Sequence, residues 1–165
     1  MLQIAEGYFR RLLFETGSSQ AVSTLSSCWA PRARSREPQF GLALPEYNVT
    51  LCMTYSGEVG NGGHLQYFLN RGGWAARETL VALASVDLPN AQGILHEACN
   101  RFPDCFVPDQ PDEVQSLLDR LPNDFGQSFQ ALDATLLQDH FDDMLLAYMQ
   151  HHGEEILRLE RGMVP

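Results

Sequence analysis

The sequence contains no lysine, so all eleven of its basic residues are arginines. They face 21 acidic residues, which gives the 165-residue chain a formal net charge of −10 at pH 7. A phosphate-binding P-loop requires a lysine and is therefore excluded. An acidic surface without lysine also repels the phosphate backbone of DNA and RNA, so we expect no direct contact with nucleic acid.

The chain also lacks the segments that direct a protein into a membrane or out of the cell. No run approaches the ~18 apolar residues that a membrane span needs. The N-terminal stretch MLQIAEGYFRRLLFE has neither the apolar region nor the cleavage site of a signal peptide. These absences predict a cytoplasmic protein with no membrane partner, in which Cys28, Cys52, Cys99 and Cys105 stay reduced.

Motifs for catalysis and metal binding are missing as well. There is no Gly-x-Ser-x-Gly nucleophile motif and no Cys-x-x-Cys pair. His96, Cys99 and Cys105 lack the paired spacing of a closed zinc site, and His140 and His151 lie too far apart on one helix to share an ion. We therefore predict no metal, no cofactor and a non-enzymatic role. A hydrolase built on two carboxylates that are distant in the sequence stays open.

Acidic residues are concentrated in the second half of the chain. Residues 1–83 hold six acids and seven arginines, a net charge of +1, whereas residues 84–165 hold fifteen acids and four arginines, a net charge of −11. From Asp104 to Asp143 there are ten acids, and only Arg120 opposes them. Such a region is either a solvated face that aids solubility or a surface that attracts a basic partner.

Apolar residues recur with helical spacing through most of the chain, and no segment shows the alternation of a strand. Leu65, Phe68 and Leu69, for example, are three and four residues apart and form one helix face. The pattern predicts an all-α fold, a single compact globular domain of seven to nine helices. The predicted helices cover residues 2–17, 19–29, 45–59, 64–70, 74–86, 90–102, 111–121, 125–138 and 141–159, with a loop over residues 30–41.

The stretch GEVGNGGHLQYFLNRGG, residues 57–73, interrupts this helical pattern twice with glycines. Its spacing does not fit the Rossmann fingerprint. We interpret it as a sharp corner between helices, because positive φ angles cost little only for glycine. Gln66 and Asn70 are four residues apart and can reach the same neighbour. Glu58 is a candidate partner for backbone N–H groups of the corner or for Gln66. A ligand pocket is the alternative. The motif residues are Glu58, Asn61, Gly62, Gly63, His64, Gln66, Tyr67 and Asn70.

The same stretch resembles a bacterial family of all-α domains of unknown function, whose best-known member is a neisserial DNA-mimic protein. The family pattern reads approximately Glu-Val-Asn-Asn-Gly-Gly-Phe-x-Gln-Tyr-Phe-x-Asn-x-x-Gly. The matching residues are Glu58, Val59, Asn61, Gly62, Gly63, Gln66, Tyr67, Phe68, Asn70 and Gly73. The chain departs from the pattern at Gly60, where the family has Asn, and at His64, where it has Phe.

The resemblance covers about residues 44–148, which we take as the core on which helices within residues 1–30 and the loop over residues 30–41 pack. It includes a later Phe-x-x-Leu-Asp element, matched by Phe129, Leu132 and Asp133. It implies an all-helical fold and a homodimer. For the mimic, it implies acidic side chains that are spaced like the phosphates of duplex DNA and that occupy a DNA-binding protein.

Two hypotheses for the function follow. The first is a non-enzymatic interaction protein, similar to a DNA mimic, whose acidic surface binds a basic DNA-binding protein. Its candidate contact residues, chosen by charge alone, are Asp109, Asp112, Glu113, Asp119, Asp139, Asp142 and Asp143. The second is a small-ligand-binding or catalytic protein with a pocket at the corner formed by residues 57–73, in which His64 could titrate near neutral pH.

Overall fold

The structure, a computed structural model, describes residues 2–33, 44–136 and 141–162, and the regular elements in these ranges are all helical. The all-α prediction is therefore confirmed. The α-helices are α1 Leu2–Glu15, α2 Ser18–Ala33, α3 Leu44–Ser85, α4 Pro89–Asn100, α5 Pro111–Leu118, α6 Gln130–Leu136, α7 Phe141–His151 and α8 Gly153–Gly162. Short 3-10 helices cover Pro103–Cys105 and Phe125–Phe129.

The longest helix, α3, is interrupted at the two glycine groups. Gly62 and Gly63 have non-helical backbone angles, and so does Gly72. These breaks divide α3 into a first segment (44–61), a middle segment (64–71) and a last segment (73–85). The short helix predicted over residues 64–70, between two longer ones, is therefore confirmed.

The predicted loop over residues 30–41 is wrong at its start, because α2 continues through Pro31 to Ala33. A proline near a helix end removes only one backbone hydrogen bond, so composition alone placed the boundary too early. Residues 34–43 lie outside the described part of the chain.

Two predicted long helices are also divided. The segment predicted as a helix from residue 125 begins as a 3-10 helix. Within it, the Ser128 carbonyl accepts a hydrogen bond from the Arg101 guanidinium, which is a contact from outside the helix. The helix predicted over residues 141–159 is split into α7 and α8 before Gly153. Gly153 lies against the ring of Phe14, where a Cβ would come within 2.9 Å of Cζ.

Packing divides the chain into two compact units: unit 1 comprises residues 1–53 and 140–165, and unit 2 comprises residues 54–139. The predicted single domain over residues 1–165 stays a prediction. In unit 1, α1 and α2 pack with α7, and α1 also packs with α8. Hydrogen bonds tie the helices of unit 1 together: the Gln150 amide donates to the Leu13 carbonyl at 2.7 Å. The fully buried large side chains of this unit include Leu13, Leu25, Trp29, Leu145 and Met149.

Unit 2 is built around aromatic side chains. Phe68 of the middle α3 segment and Phe102 have ring centroids 5.0 Å apart, and Phe125 and Phe129 are 5.5 Å apart and pack on the same group. α4 packs against α6. This core fixes the first glycine break of α3 beside the start of α6, which positions the candidate site.

Candidate functional site

The first glycine break turns the chain sharply before the middle segment of α3. Gly63 has a φ angle of +79°, a left-handed conformation that disfavours any residue with a Cβ. A Cβ at Gly63 would also come within 2.5 Å of Asp133 Oδ2. The break therefore requires glycine for its backbone conformation and for the close approach of α6.

His64, the first residue after the break, is fully buried and uses both ring nitrogens. Its Nδ1 lies 2.5 Å from Asp133 Oδ1, and its backbone N–H donates to the same oxygen at 2.9 Å. Its Nε2 lies 2.7 Å from the Tyr55 hydroxyl. Because an ionised carboxylate only accepts, His64 carries its proton on Nδ1, and the Tyr55 hydroxyl donates to Nε2.

Burial lowers the pKa of His64 below its ordinary value of 6.5, although the hydrogen bond to Asp133 and that residue's charge oppose this shift. The positive charge of Arg101 adds a smaller decrease in the pKa. The histidine is therefore neutral in the folded protein at neutral pH. Its ring also stacks on Phe129, with an interplanar angle of 18°.

Glu58 collects the polar groups on the other side of the break. Its Oε2 accepts hydrogen bonds from the Gln66 amide at 3.0 Å and from the Asn70 amide at 2.7 Å. Its Oε1 accepts from Arg71 Nε at 3.0 Å. Two of these partners, Gln66 and Asn70, are the pair whose spacing predicted a shared neighbour. The carboxylate is thus held by three donors from the middle segment of α3.

These donors change the acidity of Glu58. Burial raises its pKa, but the hydrogen bonds from Asn70 and Gln66 and the charge of Arg71 lower it by more, so the pKa lies below the ordinary value of 4.5. Hydrogen bonds that favour the charged form have this effect on any carboxyl group. Glu58 therefore stays ionised and acts as an anchor for the corner.

The second glycine break receives a loop. Gly72 has a φ angle of +71°, and a Cβ there would overlap the carbonyl of Asp109. The Gly73 N–H donates to the Pro108 carbonyl at 2.6 Å, and the Arg77 guanidinium pairs with the Asp109 carboxylate. The break is therefore a docking point for the loop that leads into α5.

The chemistry available at the corner is limited by burial. An aspartate that orients a histidine is common in acid–base catalysis, but the Tyr55 hydroxyl that His64 contacts belongs to a fully buried side chain. Burial also raises the pKa of Tyr55 far above its ordinary value of 10.0. The nearby Tyr67 hydroxyl donates to Thr79 at 2.9 Å. The polar groups of the corner thus bind one another.

The described cysteines and histidines show no assembled reactive or metal site. Within residues 2–33, 44–136 and 141–162, no three His, Cys, Asp or Glu side chains converge as ligands. Burial raises the pKa of Cys99 to about 11, which Arg77 only partly opposes, so the thiol is protonated at neutral pH. In the same ranges, no helix is long and apolar enough to cross a membrane.

The predicted acidic contact residues fall into different parts of the molecule. Asp112, Glu113 and Asp119 are exposed on α5 or at its end in unit 2, whereas Asp109 is engaged by Arg77. The Glu113 carboxylate also accepts from the Gln110 N–H at 3.2 Å and caps α5. In unit 1, Asp143 is exposed and Asp142 is partly buried in the first turn of α7. Asp139 lies outside the described residues.

Most of the negative charge belongs to one unit. Unit 2 contains twelve acids and four arginines, a net charge of −8, whereas unit 1 contains nine acids and seven arginines, a net charge of −2. Three arginines of unit 2 are already paired with acids: Arg71 with Glu58, Arg77 with Asp109, and Arg101 with Glu97. The other nine acids of unit 2 are opposed by one remaining arginine, Arg120, and the net charge of −8 is unchanged by the pairing.

Sequence reasoning did not identify Tyr55, Arg71 and Asp133 as partners of the corner. A signal for Asp133 was present, because it ends the Phe-x-x-Leu-Asp element of the resemblance. The structure explains that element: Phe129 stacks on His64, and Asp133 binds it. The contact spans 69 residues, so local spacing could not reveal it.

Comparison with known proteins bears on the same region. Residues 41–152 match the sequence profile of the family described as DMP19-like protein. No curated protein and no solved structure matches the chain significantly. The matched range covers more than half of the chain and includes both glycine breaks and the segment that holds His64. The chain therefore belongs to the DMP19-like protein family.

Proposed function

We propose that this chain is an acidic interaction protein that occupies a basic DNA-binding protein in the place of DNA. The observation that carries the proposal is the charge of unit 2, where twelve acids oppose four arginines. A protein that binds DNA through arginine and lysine is attracted to a dense carboxylate surface for the same reason that it binds phosphates. The resemblance to a DNA mimic supports the same class of partner.

The exposed acids of α5 are the contact residues that we favour. Asp112, Glu113 and Asp119 are solvent-exposed, and none forms an ion pair with an arginine in the described part of the chain. Their charges are therefore available to a partner. Asp109 lies before α5 and already forms an exposed ion pair with Arg77.

We propose a structural role for the corner, with Glu58, His64, Gln66 and Asn70 closing it by hydrogen bonds to each other and to α6. The alternative of a ligand pocket at the corner has no observation in its favour. His64 and Tyr67 are buried, and the polar atoms facing the corner are occupied.

The test is competition with DNA. The immobilised full chain is exposed to the duplex-DNA-binding proteins of the source organism, and the bound proteins are challenged with a duplex oligonucleotide. We expect a bound protein that is released by the duplex and by added salt, because exposed charge contacts are screened. The proposal is contradicted if neither the duplex nor the salt releases any bound protein.

A charge-neutral variant locates the surface. The substitutions Asp112→Asn, Glu113→Gln and Asp119→Asn remove three charges and keep a capping side chain at position 113. We expect the affinity for the released protein to fall about tenfold, since three exposed ion pairs of roughly 0.5 kcal/mol each add up to about 1.5 kcal/mol. The matched control is Glu15→Gln, Glu154→Gln and Glu155→Gln, which removes the same charge from unit 1 and leaves the affinity nearly unchanged.

The resemblance also implies a homodimer, which we retain as a proposal. Sedimentation equilibrium of the full chain over a range of concentrations distinguishes a monomer from a dimer. A cytoplasmic location is likewise part of the proposal, and fractionation of the source cells tests it.

A further inference from the structure

An open groove of about 520 Å³ lies between α4 and α6 in unit 2. From α4 it is lined by Pro89, Asn90, Gly93, Ile94 and Glu97, and from α6 by Leu132 and Thr135. Apolar side chains are therefore contributed from both helices, with a carboxylate beside them. The groove has no part in the corner or in the α5 surface described above.

Gly93 contributes no side chain to the groove that it lines. It lies within α4, and an added Cβ would meet nothing within 4 Å. Its φ angle is not positive, so the backbone does not require glycine. A glycine inside a helix lowers stability relative to alanine. Neither the backbone conformation nor a close neighbour requires glycine at this position, so there is room for a larger side chain.

The charge beside the groove favours a basic occupant. Glu97 is 55% exposed and contacts Arg101 at 3.4 Å. Such an exposed pair is weak and can exchange with a cation from a partner. The net charge of −8 on unit 2 adds attraction for the same kind of ligand.

Contacts at the corner determine the position of α6, which forms one side of the groove. Leu132 lines the groove, and the next residue, Asp133, is bound to the ring and backbone of His64. Successive residues of a helix point in different directions. One turn of α6 therefore faces the corner through Asp133 and the groove through Leu132, so the family motif supports the shape of the groove.

We infer that the groove between α4 and α6 binds an apolar side chain of the partner protein, presented on a segment with arginine or lysine beside it. This inference rests on the proposed function, because the partner is the same basic protein. The groove is a second binding site beside the acidic surface, and a duplex of DNA could not fill it. The acidic surface supplies attraction, and the groove supplies selectivity among basic partners.

The probes are three fluorescent peptides of about four helical turns. The first has leucines on one face and arginines elsewhere, the second has serines in place of the leucines, and the third has glutamines in place of the arginines. Fluorescence anisotropy gives their affinities for the full chain. We expect the first to bind at least about tenfold more tightly than either of the others, since burying a leucine favours binding by more than a factor of ten.

Two variants identify the site of the leucine preference. Gly93→Leu fills the groove and is expected to remove most of the difference between the first two peptides. Gly57→Leu is the matched control, because Gly57 is also helical with nothing within 4 Å and does not line the groove. This control is expected to keep the preference. Both variants are expected to keep the helical circular dichroism spectrum of the wild type.

The outcomes separate this inference from the proposed function. Equal affinity of the leucine and serine peptides, or a preference that survives Gly93→Leu, overturns the groove site and leaves the acidic surface intact. Equal affinity of the arginine and glutamine peptides overturns the basic occupant. Dissociation of a dimer by Gly93→Leu in sedimentation would assign the groove to a second copy of the chain and also overturn the inference. The proposed function fails separately if neutralising Asp112, Glu113 and Asp119 leaves every affinity unchanged.

Discussion

At position 64 this chain has a buried histidine where the family pattern that it resembles has phenylalanine. A phenylalanine would leave the Tyr55 hydroxyl without its ring-nitrogen partner, whereas the Asp133 carboxylate would keep its hydrogen bond to the backbone N–H of residue 64. A buried polar group without a partner costs free energy. His64 therefore depends on Tyr55 as a partner in the fold, and the sequence showed only that position 64 is unusual.

The stability of the protein is expected to depend on the protonation of His64. The folded state lowers its pKa, so the unfolded chain takes up a proton near pH 6.5 before the folded chain does. The stabilising contribution is therefore present above pH 6.5 and is lost as the pH falls toward the lower folded pKa. Urea unfolding of the wild type and of the His64→Gln variant at several pH values measures this contribution to the free energy of unfolding.

We expect the difference in unfolding free energy between these two proteins to shrink as the pH falls below about 6.5. A difference that grows on acidification would mean that the folded state favours charged His64. The other described histidines are present in both proteins, so their titration cancels in the comparison.

The amides on Glu58 are expected to stabilise the corner. Replacing Gln66 and Asn70 together by alanine removes two donors from a carboxylate that is 14% exposed. We expect a loss of ~1–3 kcal/mol in unfolding free energy, because Glu58 loses hydrogen bonds that its partly buried charge needs. Chemical denaturation measures this loss. The control pair Asn123→Ala and Gln127→Ala, both exposed, is expected to change little, and an equal effect of the two pairs would refute the role of the corner.

At the scale of elements, α3 shows how far local sequence reaches. Its breaks were predictable, because glycines at 62, 63, 72 and 73 interrupt a helical pattern. What packs on them was not predictable, since α6 meets the first break and the loop before α5 meets the second. The division of residues 125–136 into a 3-10 helix and α6 was missed for the same reason: the Arg101 contact comes from a distant segment.

Gly72→Ala is expected to destabilise the protein strongly. The alanine would have to adopt a φ angle of +71°, and its Cβ would overlap the Asp109 carbonyl. The expected loss is at least about 2 kcal/mol. By contrast, Gly57→Ala, at a helical position with nothing within 4 Å, is expected to raise stability by up to ~1 kcal/mol. Thermal or urea unfolding measures both, and similar effects of the two substitutions would show that the second break does not constrain the fold.

At the scale of the whole molecule, charge dominates. The net charge of −10 is carried mostly by unit 2, and its carboxylates repel one another in the folded state. Counting by halves of the chain instead assigns all of the excess to residues 84–165, which include the C-terminal segment of unit 1. Packing therefore divides the charge less unequally, with −8 on unit 2 and −2 on unit 1, than the two halves of the sequence do.

Added salt is expected to stabilise the folded protein. Raising sodium chloride from about 0.01 M to about 0.1 M shortens the screening length from roughly 30 Å to roughly 10 Å. Screening weakens both the repulsion among the excess carboxylates and the attraction within the ion pairs. Because the carboxylates are in excess, the loss of repulsion is the larger effect, and the melting temperature is expected to rise. The variant with Asp112, Glu113 and Asp119 neutralised is expected to show a smaller rise. A melting temperature that falls with salt would mean that the ion pairs outweigh the repulsion.

The sequence by itself determined the helical class, the breaks in α3 and the excess of acid, because apolar spacing, glycine conformation and composition are local properties. Only the tertiary structure decided that Asp133 binds His64, that the loop before α5 packs on the second glycine break, and that a groove opens between α4 and α6. These features join residues that are distant in the chain, and such contacts are selected by the packing of the core and not by spacing along the sequence.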